Sequence, residues 1–426
     1  MNRDNTAVEA MIPKGVKDFL PINAVKIEHL KNTLQQVFSL WGFQPVTPPS
    51  LEFLHVLELG LGSDLKNSTM RFDDRQSGNM LAFPPDITPQ LARVFATRMQ
   101  EAPLPQRLCY SCRVLRHAEQ QAGKDREIFQ SGVELIGQSG PQADAEVIAI
   151  AIESLQTLGA ENYTIDIGQV EFFRGVLESL QLPPEQLSTL HDTILHKDIS
   201  NLKHQLEQLP LNSAQYDEII ALPRLFGGAE VLDRAAAVVN NERSRRALDN
   251  LHQTLVLLEA YDVGKHITID LGELRGLDYY TGITFQGFLS GFGKAICLGG
   301  RYDDLTGLYG RPAPATGFAF NLLNLLFSMT SQLGEVVRPT VDILLTSTNG
   351  IDSTIHKVAR ALRRSGHSTC ITNYDSTANI NYARKMNFAH LLTIAADNQQ
   401  ATLLTISDGS STNTTVKELL DGSFSL

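Results

Sequence analysis

The sequence predicts an α+β protein: an antiparallel sheet core, interrupted by a helical insertion and followed by a small C-terminal α/β domain. Three observations lead there. Two segments that read as strands, Leu104 to Leu115 and Ile128 to Ile136, flank the polar loop Glu119 to Glu127 and suggest a long antiparallel hairpin. The strands Tyr163 to Ile167 and Ile267 to Leu271 share a T-I-D-[I/L]-G string, and the stretch between them, Val170 to Leu258, is mostly helical in pattern. After a linker around Gly334 to Pro339, strand and helix patterns alternate, which implies a largely parallel sheet. The resulting division is 1–168 for the first part of the core, 169–262 for the insertion, 263–333 for the second part, and 339–426 for the last domain.

The elements follow in order. Ile27, Leu30, Leu34, Val37 and Trp41 recur at helical spacing, and Gly42 ends that helix. A strand is expected from Val46 to Pro49, with Pro48 and Pro49 at an edge, bulge or interface. Met80 to Phe83 reads as a short buried strand. Thr88 suits an N-cap with Pro89 at the first helical position, and Leu91, Val94 and Phe95 form the apolar face. Ala143 to Leu158 is helical in pattern. Ile283 to Phe288 and Lys294 to Leu298 form another strand pair, with Gly299 and Gly300 read as a sharp turn, and Gly317 to Met329 has a helical end. In the last domain the strands are Val341 to Thr346, Ser368 to Ile371 and Ala389 to Ile394, and the helices are Ile355 to Ser365 and Ile380 to Met386.

Composition excludes several classes. The chain has 426 residues, 42% of them apolar, and a formal net charge of −11, so no general pull toward nucleic acid or anionic membrane is expected. Arg3 is not followed by an apolar run, and no stretch has the length of a membrane helix, so a secretory signal and a membrane span are not expected. Four cysteines in so long a chain argue against a disulfide scaffold and suit a cytoplasmic setting. Cys109 and Cys112 form a lone C-x-x-C; without a second ligand pair they read as two strand thiols, and no metal or cofactor is expected.

Four motifs carry chemistry. Pro84-Pro85-Asp86-Ile87-Thr88 stands at a strand-to-helix junction, where a carboxylate can accept from an ammonium group, although local pattern alone favours helix capping by Asp86 and Thr88. Arg116 lies at a strand end, where its planar fork can hold a carboxylate or a phosphate bidentately. Gln130, Gly132 and Glu134 alternate, so the two polar side chains share one sheet face beside Arg116 and suggest a pocket for a zwitterion; a solvated sheet face is the other reading. Glu273 to Gly282 combines charge, glycine and the adjacent Tyr279 and Tyr280, which in a strand would point to opposite faces. Gly299-Gly300-Arg301-Tyr302-Asp303 can place Tyr302 near the same site.

Taken in this order, the strings resemble histidyl-tRNA synthetase, a class II aminoacyl-tRNA synthetase, from about Gly15 to Leu326. The R-G-L-D-Y-Y signature of that family stands at Arg275 to Tyr280, and G-G-R-Y-D follows at the family's spacing. Helix 24–41 and the strand ending at Pro49 look like motif 1, which implies self-association as a dimer; Cys109 to Glu134 looks like motif 2; the helix near Gly317 looks like motif 3. The last domain is similar in pattern to the family's anticodon-binding domain. The resemblance implies a histidine site: Asp86 and Thr88 at the amino group, Arg116 on the carboxylate side, and Gln130, Glu134, Arg275, Tyr279, Tyr280 and Tyr302 lining the pocket. Glu134 and the tyrosine hydroxyls are chemically able to serve the two imidazole nitrogens.

Two departures are selective. Asn324 stands where motif 3 supplies an Arg for the γ-phosphate of ATP, and Ala118 stands where motif 2 supplies the Glu that contacts adenine, with Glu119 one residue late and so on the other strand face. Losing one Arg–phosphate clamp costs about 1.5–3 kcal/mol in binding, and about a hundred- to a thousandfold in rate where it stabilises transition-state charge. D-I-T-P-Q at Asp86 to Gln90 and R-G-L-D-Y-Y-T-G at Arg275 to Gly282 resemble a paralogous family, the regulatory subunits of ATP phosphoribosyltransferase. That likeness implies a non-catalytic chain that carries histidine feedback to a short-form catalytic subunit in the first step of histidine biosynthesis. The alternative is an active histidyl-tRNA synthetase, against which Asn324, Ala118 and the balanced charges of the C-terminal region speak.

Overall fold

The computed structural model describes residues 12–117, 125–272, 279–330, 333 and 341–424. Arg275, Ala118, Glu119 and the expected linker from Gly334 to Pro339 lie outside these. Of the polar loop expected in the hairpin, Asp125, Arg126 and Glu127 are within them. The chain divides into two compact units, 1–335 and 336–426.

The first unit opens with helix α1 (Pro21–Leu40), which buries Ile27, Leu30, Leu34, Val37 and Phe38. Gly42, at φ +80°, turns the chain out of it, as left-handed backbone favours glycine. Phe38 completes the apolar face; Trp41 lies just past the helix and donates to Glu153 at 2.9 Å. The strand expected at Val46 to Pro49 is instead β1 (Gln44–Pro45), parallel to β5. Val46 still donates to the Cys109 carbonyl, but Pro48 and Pro49 have no N–H to extend the ladder.

Next come β2 (Glu52–Phe53), the short helices α2 (Leu54–Leu57) and α3 (Ser63–Asn67), β3 (Met70–Asp73) and β4 (Met80–Phe83), with β4 central in a three-stranded sheet. Helix α4 (Thr88–Arg98) follows β4 directly. Then come β5 (Gln106–Leu115), β6 (Glu127–Ile136) and α5 (Pro141–Thr157). β5 and β6 pair antiparallel over their whole length, as the hairpin pattern requires.

The insertion begins after β7 (Tyr163–Gln169). It comprises α6 (Val170–Ser179), α7 (Pro184–Leu195), α8 (Ile199–Glu207), α9 (Ser213–Ala221), β8 (Phe226–Gly227), α10 (Glu230–Val238) and α11 (Glu242–Glu259). β9 (Ile267–Asp270) returns beside β7 in parallel, so the two T-I-D strings are neighbours, offset so that Asp166 faces Thr268.

β10 (Ile283–Leu289), β11 (Cys297–Arg301), β12 (Ala315–Asn321) and α12 (Leu322–Ser328) complete the unit. The resulting nine-stranded sheet has the order β1-β5-β6-β12-β11-β10-β7-β9-β8. Its central strands are antiparallel and its β1–β5 and β7–β9 pairs parallel. Gly299 and Gly300 are not a turn: both lie inside β11. A Cβ on Gly299 would meet the Phe285 ring at 2.6 Å, and one on Gly300 the Tyr280 ring at 2.9 Å. Glycine stands there because neighbours approach closely.

The second unit contains β13 (Val341–Ser347), α13 (Ser353–Arg364), β14 (Thr369–Ile371), α14 (Ser376–Met386), β15 (Phe388–Ile394), β16 (Gln400–Thr405), β17 (Ser411–Thr415) and α15 (Val416–Asp421). The sheet is mixed, not largely parallel: β14, β13 and β15 are parallel, while β16 and β17 add an antiparallel hairpin. No helix among the described residues is long and apolar enough to cross a membrane.

Candidate functional site

Three antiparallel strands pave one face of the large sheet with small residues. The register sets Tyr110 opposite Gly132, Gly132 opposite Ala319, Glu134 opposite Gly317, and Gly317 opposite Gly300. Cross-strand partners point to the same side, so Gln130 and Glu134 rise from a floor of glycine and alanine. Gly317 is required there: a Cβ on it would run into the Glu134 carboxylate. The shared face of Gln130 and Glu134 follows from the alternation expected of them.

The α4 N-terminus closes one side. Gln130 Nε2 donates to Asp86 Oδ1 at 3.0 Å, and the Ile87 N–H donates to Asp86 Oδ1 at 2.9 Å and to Gln130 Oε1 at 3.3 Å. Thr88 is the first residue of α4, not its cap; Ile87 holds the cap position. Its hydroxyl is thereby released to donate to Glu134 Oε1 at 2.6 Å. Gln90, buried in the first turn, donates to the Pro49 carbonyl at 2.7 Å and to Glu52 at 3.1 Å, and so anchors this turn to β2.

Arg116 sits just beyond β5, bridged to Thr69, and donates through Nε to the Pro85 carbonyl at 2.8 Å. Tyr302 donates to Glu134 Oε2. Tyr279 and Tyr280 precede β10 and are not in a strand, so the alternation expected of them does not apply. Their rings meet edge to face at 5.1 Å, and Tyr279 also packs on Tyr302 at 5.5 Å. Eight of the nine expected residues therefore fall in the described parts, and Asp86, Thr88, Gln130, Glu134, Tyr279, Tyr280 and Tyr302 form one cluster with Arg116 at its Pro85 edge.

Burial dominates the electrostatics. It pushes the Glu134 carboxyl up to about 8, against the hydrogen bonds from Thr88 and Tyr302; the Asp86 charge pushes the same way as burial. The phenols of Tyr279, Tyr280 and Tyr302 are likewise held above their ordinary range, first by burial and then by charges including Glu134. A site of this kind offers acceptors to an ammonium, hydroxyl and amide donors to neutral acceptors, and a guanidinium to a carboxylate.

Sequence reasoning missed Tyr110. It is fully buried on the pocket face, and its ionisation is opposed by burial and by the charges of Glu134 and Asp86. Only the strand register puts it there, and the sequence does not contain that register. Arg301 is the reverse case: its conspicuous G-G-R-Y-D setting serves the scaffold. It forms a buried ion pair with Asp144 at 2.9 Å, and it also pairs at 2.9 Å with Asp303, whose side chain reaches solvent. Asn324 donates to the Ala295 carbonyl at 2.7 Å. Cys109 and Cys112 are free thiols, and no group of potential metal ligands occurs among the described residues.

The antiparallel sheet, the hairpin beside the α4 turn and the helix after β12 define a class II aminoacyl-tRNA synthetase-like protein. The family model described as histidyl-tRNA synthetase matches residues 15–325. A protein of Syntrophotalea carbinolica described as ATP phosphoribosyltransferase regulatory subunit is 55% identical over 100% of both chains. One of Geobacter sulfurreducens with the same description is 48% identical over 99% of this chain and 97% of that one. A crystal structure from Bacillus halodurans described as an ATP phosphoribosyltransferase regulatory subunit/histidyl-tRNA synthetase has a TM-score of 0.79 and 26% identity, covering 91% of this chain and 99% of that one. The chain belongs to the family of ATP phosphoribosyltransferase regulatory subunits, whose synthetase-like core is a paralogue of histidyl-tRNA synthetase.

Proposed function

We propose that this chain is the non-catalytic histidine sensor of an ATP phosphoribosyltransferase complex. Free histidine occupies the pocket of Asp86, Thr88, Arg116, Gln130, Glu134, Tyr279, Tyr280 and Tyr302, with Arg275 joining it by the family resemblance. Histidine's unequal affinity for two states of the complex then sets the activity of a short-form catalytic subunit. The observation that carries this reading is the clasp of Thr88, Tyr302 and Glu134 beside Asp86 and Gln130. It offers acceptors for an ammonium and both kinds of partner for an imidazole, with Arg116 near for a carboxylate.

The bound histidine is not activated. Asn324, at the position that resembles the motif 3 Arg, is neutral and spends its amide on a backbone carbonyl. Ala118 lacks the carboxylate of the motif 2 pattern. The core that holds the pocket spans 1–168 and 263–333, with 169–262 inserted and 339–426 separate. Self-association runs through α1 and the segment to Pro49, and no nucleic acid or membrane is involved.

Calorimetry and pyrophosphate exchange test this together. Histidine binds, Arg116→Ala binds it more weakly, and no histidine-dependent exchange with ATP occurs. Exchange at synthetase-like rates contradicts the reading, as does a chain that takes up no histidine.

A further inference from the structure

Thr281 joins the two chain segments that carry the pocket tyrosines. Tyr279 and Tyr280 precede β10 and lie outside any strand, and Thr281 is the next residue. Its N–H donates to the Arg301 carbonyl at 2.7 Å, and its hydroxyl accepts from the Asp303 N–H at 2.8 Å. Those partners stand on either side of Tyr302, so one threonine brackets the residue that donates to Glu134. The side chain is needed because the strand pair runs out here. β10 and β11 pair from Thr284 opposite Gly300 to Gly287 opposite Cys297. Continued in register, that ladder sets Thr281 opposite Asp303, where the hydroxyl supplies the acceptor.

The bracket is braced at both ends. Asp303 Oδ1 accepts from Arg301 Nη1 at 2.9 Å and from the Ala315 N–H at 3.0 Å. Val170, the first residue of α6, donates from its N–H to the Gly282 carbonyl at 3.1 Å. The fit is close: a Cβ on Gly282 would meet the Arg301 side chain at 3.1 Å. With both flanks fixed, the Thr281 hydroxyl sets how the Tyr279 ring lies on Tyr302, whose centroids are 5.5 Å apart.

Resting on the histidine-sensor reading, we propose that Thr281 is a positioning residue whose hydroxyl holds the Tyr279–Tyr280 pair against Tyr302 and Glu134 without itself touching the ligand. Rings already in place lose less freedom when a ligand binds. A loosened bracket therefore weakens binding although no ligand contact is removed.

Thr281→Val keeps the β-branched shape and the N–H bond to Arg301, and removes only the acceptor of the Asp303 N–H. Thr281→Ser keeps the hydroxyl. Calorimetry with L-histidine is run at a temperature where each variant is fully folded. The expected result is a three- to tenfold loss of affinity for Thr281→Val, about the size of one neutral hydrogen bond, and recovery to within about twofold of wild type for Thr281→Ser, less than a third of a tenfold step in free energy. Unchanged affinity in Thr281→Val, even with a lower melting temperature, overturns the inference and leaves the sensor reading intact, since the hydroxyl would then serve only the fold. A loss that Thr281→Ser does not recover also overturns it. A wild-type chain that binds no histidine overturns the sensor reading itself, and this inference with it. Should Thr281→Val not fold, amide hydrogen exchange on the wild-type chain replaces it. A contact that favours the ligand is favoured by it in return, so histidine must slow exchange at the Thr281 and Asp303 amides; no slowing overturns the inference.

Discussion

The Thr88 hydroxyl donates to Glu134 Oε1 across 2.6 Å, joining the first residue of a helix to the middle of the sheet. This bond ties the loop that carries Asp86 to the strand that carries Gln130. Thr88→Val removes it at nearly constant volume and leaves a buried carboxyl short of a donor. The expected cost is about 1–3 kcal/mol in stability, read by urea unfolding, with weaker histidine binding alongside. An unchanged unfolding midpoint would mean that the bond contributes nothing.

Glu134 gives the protein a pH dependence of definite sign. Its carboxyl is raised by burial from 4.5 to about 8, so between those limits the folded state holds a proton that the unfolded state has released. Its contribution to stability is therefore full below the unfolded pKa, declines as pH rises, and levels off above about 8. Glu134→Gln removes this titration. Melting temperatures taken from pH 5 to 8 should show the variant gaining on the wild type as pH rises; parallel curves would contradict the assignment.

Gly317→Ala places a methyl against the Glu134 carboxylate. Overpacking of this kind costs about 1–3 kcal/mol. Histidine affinity should fall with it, because Glu134 must move. Calorimetry that finds full affinity in this variant would show that Glu134 does not set the pocket.

The Asp144–Arg301 pair, both side chains deeply buried, should matter for folding far more than for the ligand. Asp144→Ala strands a buried guanidinium and costs about 3–5 kcal/mol, seen as a large drop in the denaturation midpoint. A small drop would mean that Asp303 alone satisfies Arg301.

Much of this site was legible in the sequence where a local period governs it. Gln130 and Glu134 share a face because strands alternate, and the helix after Pro84-Pro85 begins one residue before the Pro89 start expected of it, with Ile87 and not Thr88 at the cap. What was illegible is tertiary. Gly299-Gly300 reads as a turn from its dipeptide, yet it is glycine because Phe285 and Tyr280 press on it from elsewhere in the chain. Tyr110 joins the pocket only through its register with Gly132. β16 and β17 are short and rich in threonine and serine, so their pairing, not their pattern, makes them strands.

The Arg116 fork, held at one nitrogen by the Pro85 carbonyl, keeps its other nitrogens for a ligand carboxylate under the proposed function. The most direct test reconstitutes this chain with a short-form ATP phosphoribosyltransferase catalytic subunit and follows the transferase rate as histidine is raised. A histidine sensor gives a response that depends on the wild-type chain and moves to higher histidine concentration, by tenfold or more for a lost charged hydrogen bond, with Arg116→Ala. A response identical in the two, or none with either, would contradict it.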